Sequence, residues 1–283
     1  MIPTVVVKSM ARVVLSLVLA VTFLPSSALA RPASPDLVRE YLEVSGLRRQ
    51  LELVVPRAMA EFEGSRGTLP SKQYALVLSA FGQAFHADEV FTSILSQVEG
   101  QYQERFILDA IRFYRSPVGR KIVQANDEAF SAHLQQLARA YYDRASQDPT
   151  TPFRITLLNH IDQATGMSEQ AAEVGMLTAR AVATALDTIL EPDQRLGEEK
   201  IRQQMVIMRP QMVQSHHQST VVEMLYRYRD LTLDELRYYR RFLESESGRH
   251  CTDITRSAVT TALLQVSQHV ADILSASGTN PSP

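Results

Sequence analysis

The stretch Arg112-Phe113-Tyr114-Arg115-Ser116-Pro117-Val118-Gly119-Arg120 returns 129 residues later as Arg241-Phe242-Leu243-Glu244-Ser245-Glu246-Ser247-Gly248-Arg249. In both, an amphipathic run carrying a phenylalanine reaches a serine, Pro117 or Glu246 follows, and a glycine stands three positions after the serine. A serine hydroxyl caps the first turn of a helix. Proline suits the next position because its missing N–H would have no partner there, and an acid suits it because the helix N-terminus is positive. Each stretch therefore predicts two helices joined by a tight elbow, the glycine letting the preceding helix approach. The competing reading gives the glycine a ligand role, exposing backbone N–H groups to an anion with Arg120 or Arg249 assisting.

Outward from the elbows, apolar residues recur at helical spacing and almost never alternate. Tyr74, Val77, Leu78, Phe81 and Phe85 form one stripe, and Val90, Ile94, Val98 and Tyr102 form another. Helix starts agree: Ser34-Pro35-Asp36 reads as a cap before a first-turn proline, and Thr232 with Glu235 as a capping box. A second echo joins Ser45-Gly46-Leu47-Arg48-Arg49-Gln50 to Thr165-Gly166-Met167-Ser168-Glu169-Gln170, 120 residues apart, and Leu37 and Leu157 keep that offset. The two offsets differ by one short insertion in the second copy. The expected architecture is an all-α helical bundle built from two tandem, similar repeats, 31–148 and 149–275, followed by a disordered tail over 276–283. Between the repeats, Gln147-Asp148-Pro149-Thr150-Thr151-Pro152 reads as a linker.

The phrase Phe113-Tyr114-Arg115-Ser116-Pro117-x-Gly119-x-Lys121, preceded by an amphipathic helix, resembles the signature of the bacterial domain-of-unknown-function family 2059. The specific likeness covers about residues 104–123. A diverged one covers 231–249, where Glu246 replaces the proline and His250 stands in place of the lysine. The resemblance implies an exported helical protein. It implies no chemistry, so no site residue comes with it.

The chain of 283 residues has 45% hydrophobic and 21% charged residues, close to ordinary globular usage, with 29 basic and 31 acidic side chains and one cysteine. No basic excess points to nucleic acid, and no disulfide can form within one chain. Residues 1–30 read as a signal peptide: Lys8 and Arg12, an apolar run from Val13 to Leu24 too short to span a bilayer, Pro25, then Ala28-Leu29-Ala30 before a cut. Beyond Arg31 no apolar run is long enough for a membrane span. The mature protein is expected in the periplasm or outside the cell.

Chemistry is sparse. No phosphate-binding loop, nucleophile elbow, H-E-x-x-H or C-x-x-C pattern occurs. Met205, Met208, Met212 and His216 share a helical face beside His217, a set that suits soft copper or, more simply, a core. His250, Cys251 and Asp253 suggest a Cys–His pair, but adjacent helical residues diverge by about 100°, so a buried thiol is the simpler reading. Between Tyr226 and Arg241, four tyrosines interleave with five arginines, fit for an anionic ligand or for internal ion pairs. No catalytic, cofactor or metal residue is assigned. The expected role is a non-catalytic binding module of the cell envelope, its partner an envelope protein or anionic envelope component. An enzyme with a dispersed site between the repeats, or a methionine/histidine metal binder, is the alternative. Expression in a host with intact export is expected to give a periplasmic product whose mass corresponds to a chain beginning at Arg31; cytosolic retention or an intact N-terminus contradicts the leader.

Overall fold

The computed structural model describes residues 31–53, 56, 71–128, 134–189 and 195–278; the leader over 1–30 lies outside them. Eleven helices can be followed: α1 (Pro35–Val44), α2 (Ser71–Ala84), α3 (Ala87–Val98), α4 (Glu104–Tyr114), α5 (Pro117–Glu128), α6 (Leu134–Ala145), α7 (Thr151–Thr165), α8 (Met167–Ile189), α9 (Glu198–Arg227), α10 (Leu233–Leu243) and α11 (Glu246–Gly278). Residues 47–53 are helical as well. Among the described residues the fold is all-α, with no strand and one isolated bridge between Pro32 and Gln103.

The starts follow their caps. Leu37 N–H donates to the Ser34 hydroxyl at 3.3 Å ahead of Pro35, and Thr232 and Glu235 form a reciprocal capping box. The apolar stripes become the core: Val77, Phe85, Val90, Ile94 and Val98 are all buried. Tyr102 is buried too, but not as part of that helix. The backbone leaves α3 after Val98 and turns through Gly100 at φ +71°. The expected linker is also shorter than its composition suggests. Thr151 and Pro152 belong to α7, and the buried Thr151 hydroxyl donates to the Ala145 carbonyl, leaving 146–150 as the connection. At the other end, α11 continues through Gly278, past the start of the expected tail, and 279–283 lie outside the described residues.

Both elbows form, with the same bonds. Gly119 N–H donates to the Ser116 hydroxyl at 3.0 Å, and Gly248 N–H to the Ser245 hydroxyl at 3.0 Å. Arg120 returns its guanidinium to the Arg115 carbonyl, and Arg249 does the same to that of Glu244. A Cβ added at Gly119 would overlap the Phe113 carbonyl oxygen, and one at Gly248 that of Phe242. These glycines are required because backbone occupies the space of a side chain. The joint also spends Arg120 and Arg249 on carbonyls of the preceding helix, which leaves the anion reading without its arginines.

The two elbows meet. Phe113 and Phe242 stack with ring centroids 3.8 Å apart and planes 4° from parallel, flanked by Tyr114 and Tyr239. Around them lie two apolar clusters. The first holds residues of α1 to α4 together with Cys251, Ala258, Ala262, Val266, Val270 and Leu274 of α11. The second holds Leu157, Leu158 and Ile161 of α7, Met224 and Leu225 of α9 and Leu236 of α10, together with Phe113, Ile122 and Ala125.

Ser116→Ala is expected to cost about 1 kcal/mol in urea unfolding through loss of the cap. Gly119→Val is expected to cost several times more, because the obstructing atom is a carbonyl that cannot move without opening the elbow. Equal, small effects of both variants would show that the close approach does not matter.

Candidate functional site

The strongest polar constellation among the described residues is one the sequence did not display. In α7, Leu157, Leu158 and Ile161 line the core, and the next residue, Asp162, is equally buried. The chain then reverses through Gly166, whose φ of +63° is left-handed and whose N–H donates to the Asp162 carbonyl. This brings Ser168, in the first turn of α8, back onto the Asp162 carboxylate. Ser168 N–H donates to Oδ1 at 2.9 Å and its hydroxyl to Oδ2 at 2.6 Å. From α9, His217 places Nδ1 2.9 Å from the same Oδ2. A buried carboxylate is tolerated only when its oxygens are satisfied, and here a helix N-terminus, a hydroxyl and an imidazole satisfy it.

Serine, aspartate and histidine are thus together, but in the wrong order for acyl transfer. A nucleophilic serine must donate to imidazole; Ser168 donates to the carboxylate. A comparison within the chain explains the arrangement better. Arg48 lies 120 residues before Ser168 and Asp88 lies 129 before His217, and those two form an ion pair at 2.8 Å. In both halves, the helix that follows the left-handed glycine is tied to a later helix at the same place. In the second half this latch is indirect: Ser168 of α8 and His217 of α9 are joined through the Asp162 carboxylate of α7, which both of them bond.

His217 is 48% exposed at its side chain and borders a groove of about 900 Å³ with Arg139, Tyr142, Asn159, His216 and Glu223. Its charges are mixed, so the groove favours neither an anion nor a cation. Among the described residues no three His, Cys, Asp or Glu side chains converge as a metal site would require.

The methionine stripe corrects the sequence reading. Met205 and Met212 are half-buried, but Met208 is 47% exposed beside Val206 at 63% and Ile207 at 77%. The helix is 30 residues long; Ile201 near its start and Val221, Met224 and Leu225 near its end are buried, while the stretch from Val206 to Pro210 between them is exposed. Helical spacing marks a face; it does not say whether anything covers it.

Cys251 is the buried thiol, placed 1% exposed in the first cluster, and burial pushes it up to about 12, with Asp109 adding to the effect. His250 takes no part in activating it. Its Nε2 accepts the Gln103 N–H at 3.1 Å, its ring packs on Phe106 at 4.8 Å, and burial holds it below the usual imidazole range. The tyrosine–arginine segment is mostly spent internally. Tyr228 and Tyr239 are buried, and Tyr228 donates to Asn126 at 2.9 Å. Arg229 meets Glu128 and Asp230, Arg237 meets Asp234, and Arg240 meets Glu244.

The elbow and the helices beside it carry a family likeness as well as a fold. Residues 99–148 match the model of an uncharacterized protein family conserved in bacteria, DUF2059. The DUF2059 segment runs through α4, the first elbow, α5 and α6, and so contains the Ser116–Gly119 cap and Phe113 of the central stack. No curated protein and no solved structure matches the chain.

The Cys251 thiol is expected to resist Ellman's reagent at pH 8 in the folded protein and to react fully in 6 M guanidinium, since a group at about 12 holds almost no thiolate at pH 8. Rapid labelling without denaturant would mean that α11 is not seated. His217→Ala is expected to cost about 0.5–1.5 kcal/mol in urea unfolding by removing one of the two hydrogen bonds to Asp162 Oδ2, the Ser168 hydroxyl keeping the other; an unchanged midpoint would show that the latch carries no stability.

Proposed function

We propose that this protein is an exported, non-catalytic interaction module of the cell envelope, and that it docks an amphipathic helix of an envelope protein on the N-terminal half of α9. The observation that carries the reading is the exposed run Val206, Ile207 and Met208. Three consecutive apolar residues uncovered on a helix are unusual for a surface with no partner. The occupant's chemistry comes from the chain itself. Val77 stands 129 residues before Val206 and is only 3% exposed, in a cluster with Val266, Val270 and Leu274 of α11. One register of this fold thus seats an apolar helix face in the first half and stands bare in the second.

Two further facts support a binding role over an enzymatic one. Where the elbows meet, the halves are packed with aromatic rings, and the cavity beside them, between Tyr41, Tyr114, Tyr239 and Arg256, holds only about 210 Å³. The Ser168–Asp162–His217 group is committed to a helix end. Among the described residues no helix is long and apolar enough to cross a membrane, which fits a partner met at a surface. Export through the leader expected over residues 1–30 supplies the compartment in this reading.

A photo-crosslinking amino acid placed at Ile207, and separately at exposed Arg112, tests the proposal in cells with intact export. A discrete protein adduct from position 207, absent from position 112 and lost when Val206→Asp is added, is the expected result. Equal adducts from both positions, adducts to lipid only, or no adduct at 207 would overturn it.

A further inference from the structure

The two apolar clusters do not follow the boundary between the halves, and the way they cross it is reciprocal. Ile122, in α5 of the first half, is fully buried in the cluster of α7, α9 and α10. Cys251, in α11 of the second half, is buried in the cluster of α1 to α4. These residues are 129 apart, the elbow offset. Each half sends the helix after its elbow into the apolar core of the other, while α11 also lies along α8 of its own half, Gln170 donating to the Arg256 carbonyl and the Thr260 hydroxyl.

Other contacts obey the same exchange. Lys121 of α5 reaches Glu235 of α10 at 2.6 Å, and the residues offset by 129 from these, His250 of α11 and Phe106 of α4, pack with rings 4.8 Å apart. Asn126 of α5 accepts the Tyr228 hydroxyl from the second half, while Thr255, its counterpart in α11, bonds the Tyr102 hydroxyl of the first at 2.8 Å. Phe113 and Phe242 are counterparts of each other and stack. A residue that contacts its own counterpart lies on a two-fold axis, as at an isologous interface. Within each half the pattern also repeats: a Cβ at Gly46 would press on Val123, with Asp127 next to it, and one at Gly166 would overlap Arg256, the counterpart of Asp127. The charges are inverted there, Arg49 with Asp127 in the first half against Glu169 and Arg256 at the same places in the second.

We infer that the two halves are two copies of one fold, joined as a covalently linked, helix-exchanged dimer about an axis through the Phe113–Phe242 stack. The partner each half is shaped to bind is thus the elbow-following helix of another copy. The connection over 146–150 tethers the copies and holds neither core together. α5 and α6 complete the second half, and α11 completes the first. Ile122 is fully buried, and such burial stabilises the half that does not encode the residue.

The test uses the full chain with a protease site inserted between Gln147 and Asp148 and cut after folding. The expected result is that both fragments elute together at the mass of the uncut protein, melt in a single transition, and separate only in denaturant. Fragments that separate on dilution while remaining helical, or that melt independently, would overturn the inference. A second measurement distinguishes exchange from an ordinary interface. In the uncut chain, Ala258→Asp should strip hydrogen-exchange protection from α2, α3 and α4 before α7 and α10, whereas Ile122→Asp should strip α9 and α10 before α2 and α3. Protection lost first within the mutated helix's own half, in both variants, would refute the exchange.

Discussion

The contact on which this structure depends is the face-to-face stack of Phe113 on Phe242, held at 3.8 Å by two elbows that cannot open. Each ring sits one turn before a capped serine. Each elbow is closed by a glycine whose absent side chain leaves room for the carbonyl of that phenylalanine. Stacked aromatic pairs contribute only about 0.5–1.5 kcal/mol beyond their burial, so the importance of the pair is geometric. It fixes where the helices after the elbows must go, and they go into opposite cores.

From that constraint the polar features fall into order. The Asp162–Ser168–His217 group and the Arg48–Asp88 pair are two chemical solutions to one mechanical need, tying the helix after a left-handed glycine to a later helix. One solution centres on a buried carboxylate, the other is an exposed ion pair, which is why comparing the halves separates structure from chemistry more sharply than either half alone. The same comparison singles out α9. It departs from α2 and α3 in two ways: it runs unbroken through 214–215, where the first half breaks at 85–86, and it leaves Val206, Ile207 and Met208 exposed, and exposed apolar surface needs an explanation outside the fold.

Much of the architecture was legible because its determinants are local. Caps at Ser34 and Thr232, the elbow serines and glycines, and the apolar stripes of α2 and α3 are short-range patterns set by backbone hydrogen bonding and by the helical period. The candidate site was not legible. Asp162 follows an apolar residue and precedes a polar run, and its partners lie 6 and 55 residues away, joined by a reversal that no spacing rule predicts. The methionine stripe failed as a core for the opposite reason: its period was right, and period carries no information about cover.

By itself the sequence determined that the chain is helical, where its elbows bend, which residues recur at offsets of 120 and 129, and that residues 104–123 look like a DUF2059 signature. The tertiary structure alone decided which apolar cluster each helix joins, that Cys251 is walled in, that the arginines of 226–241 are mostly occupied internally, and that Ile207 faces outward. The physical reason is that turns and caps are settled within a few residues of backbone, whereas burial, pairing and exposure depend on which distant surface arrives to cover a side chain.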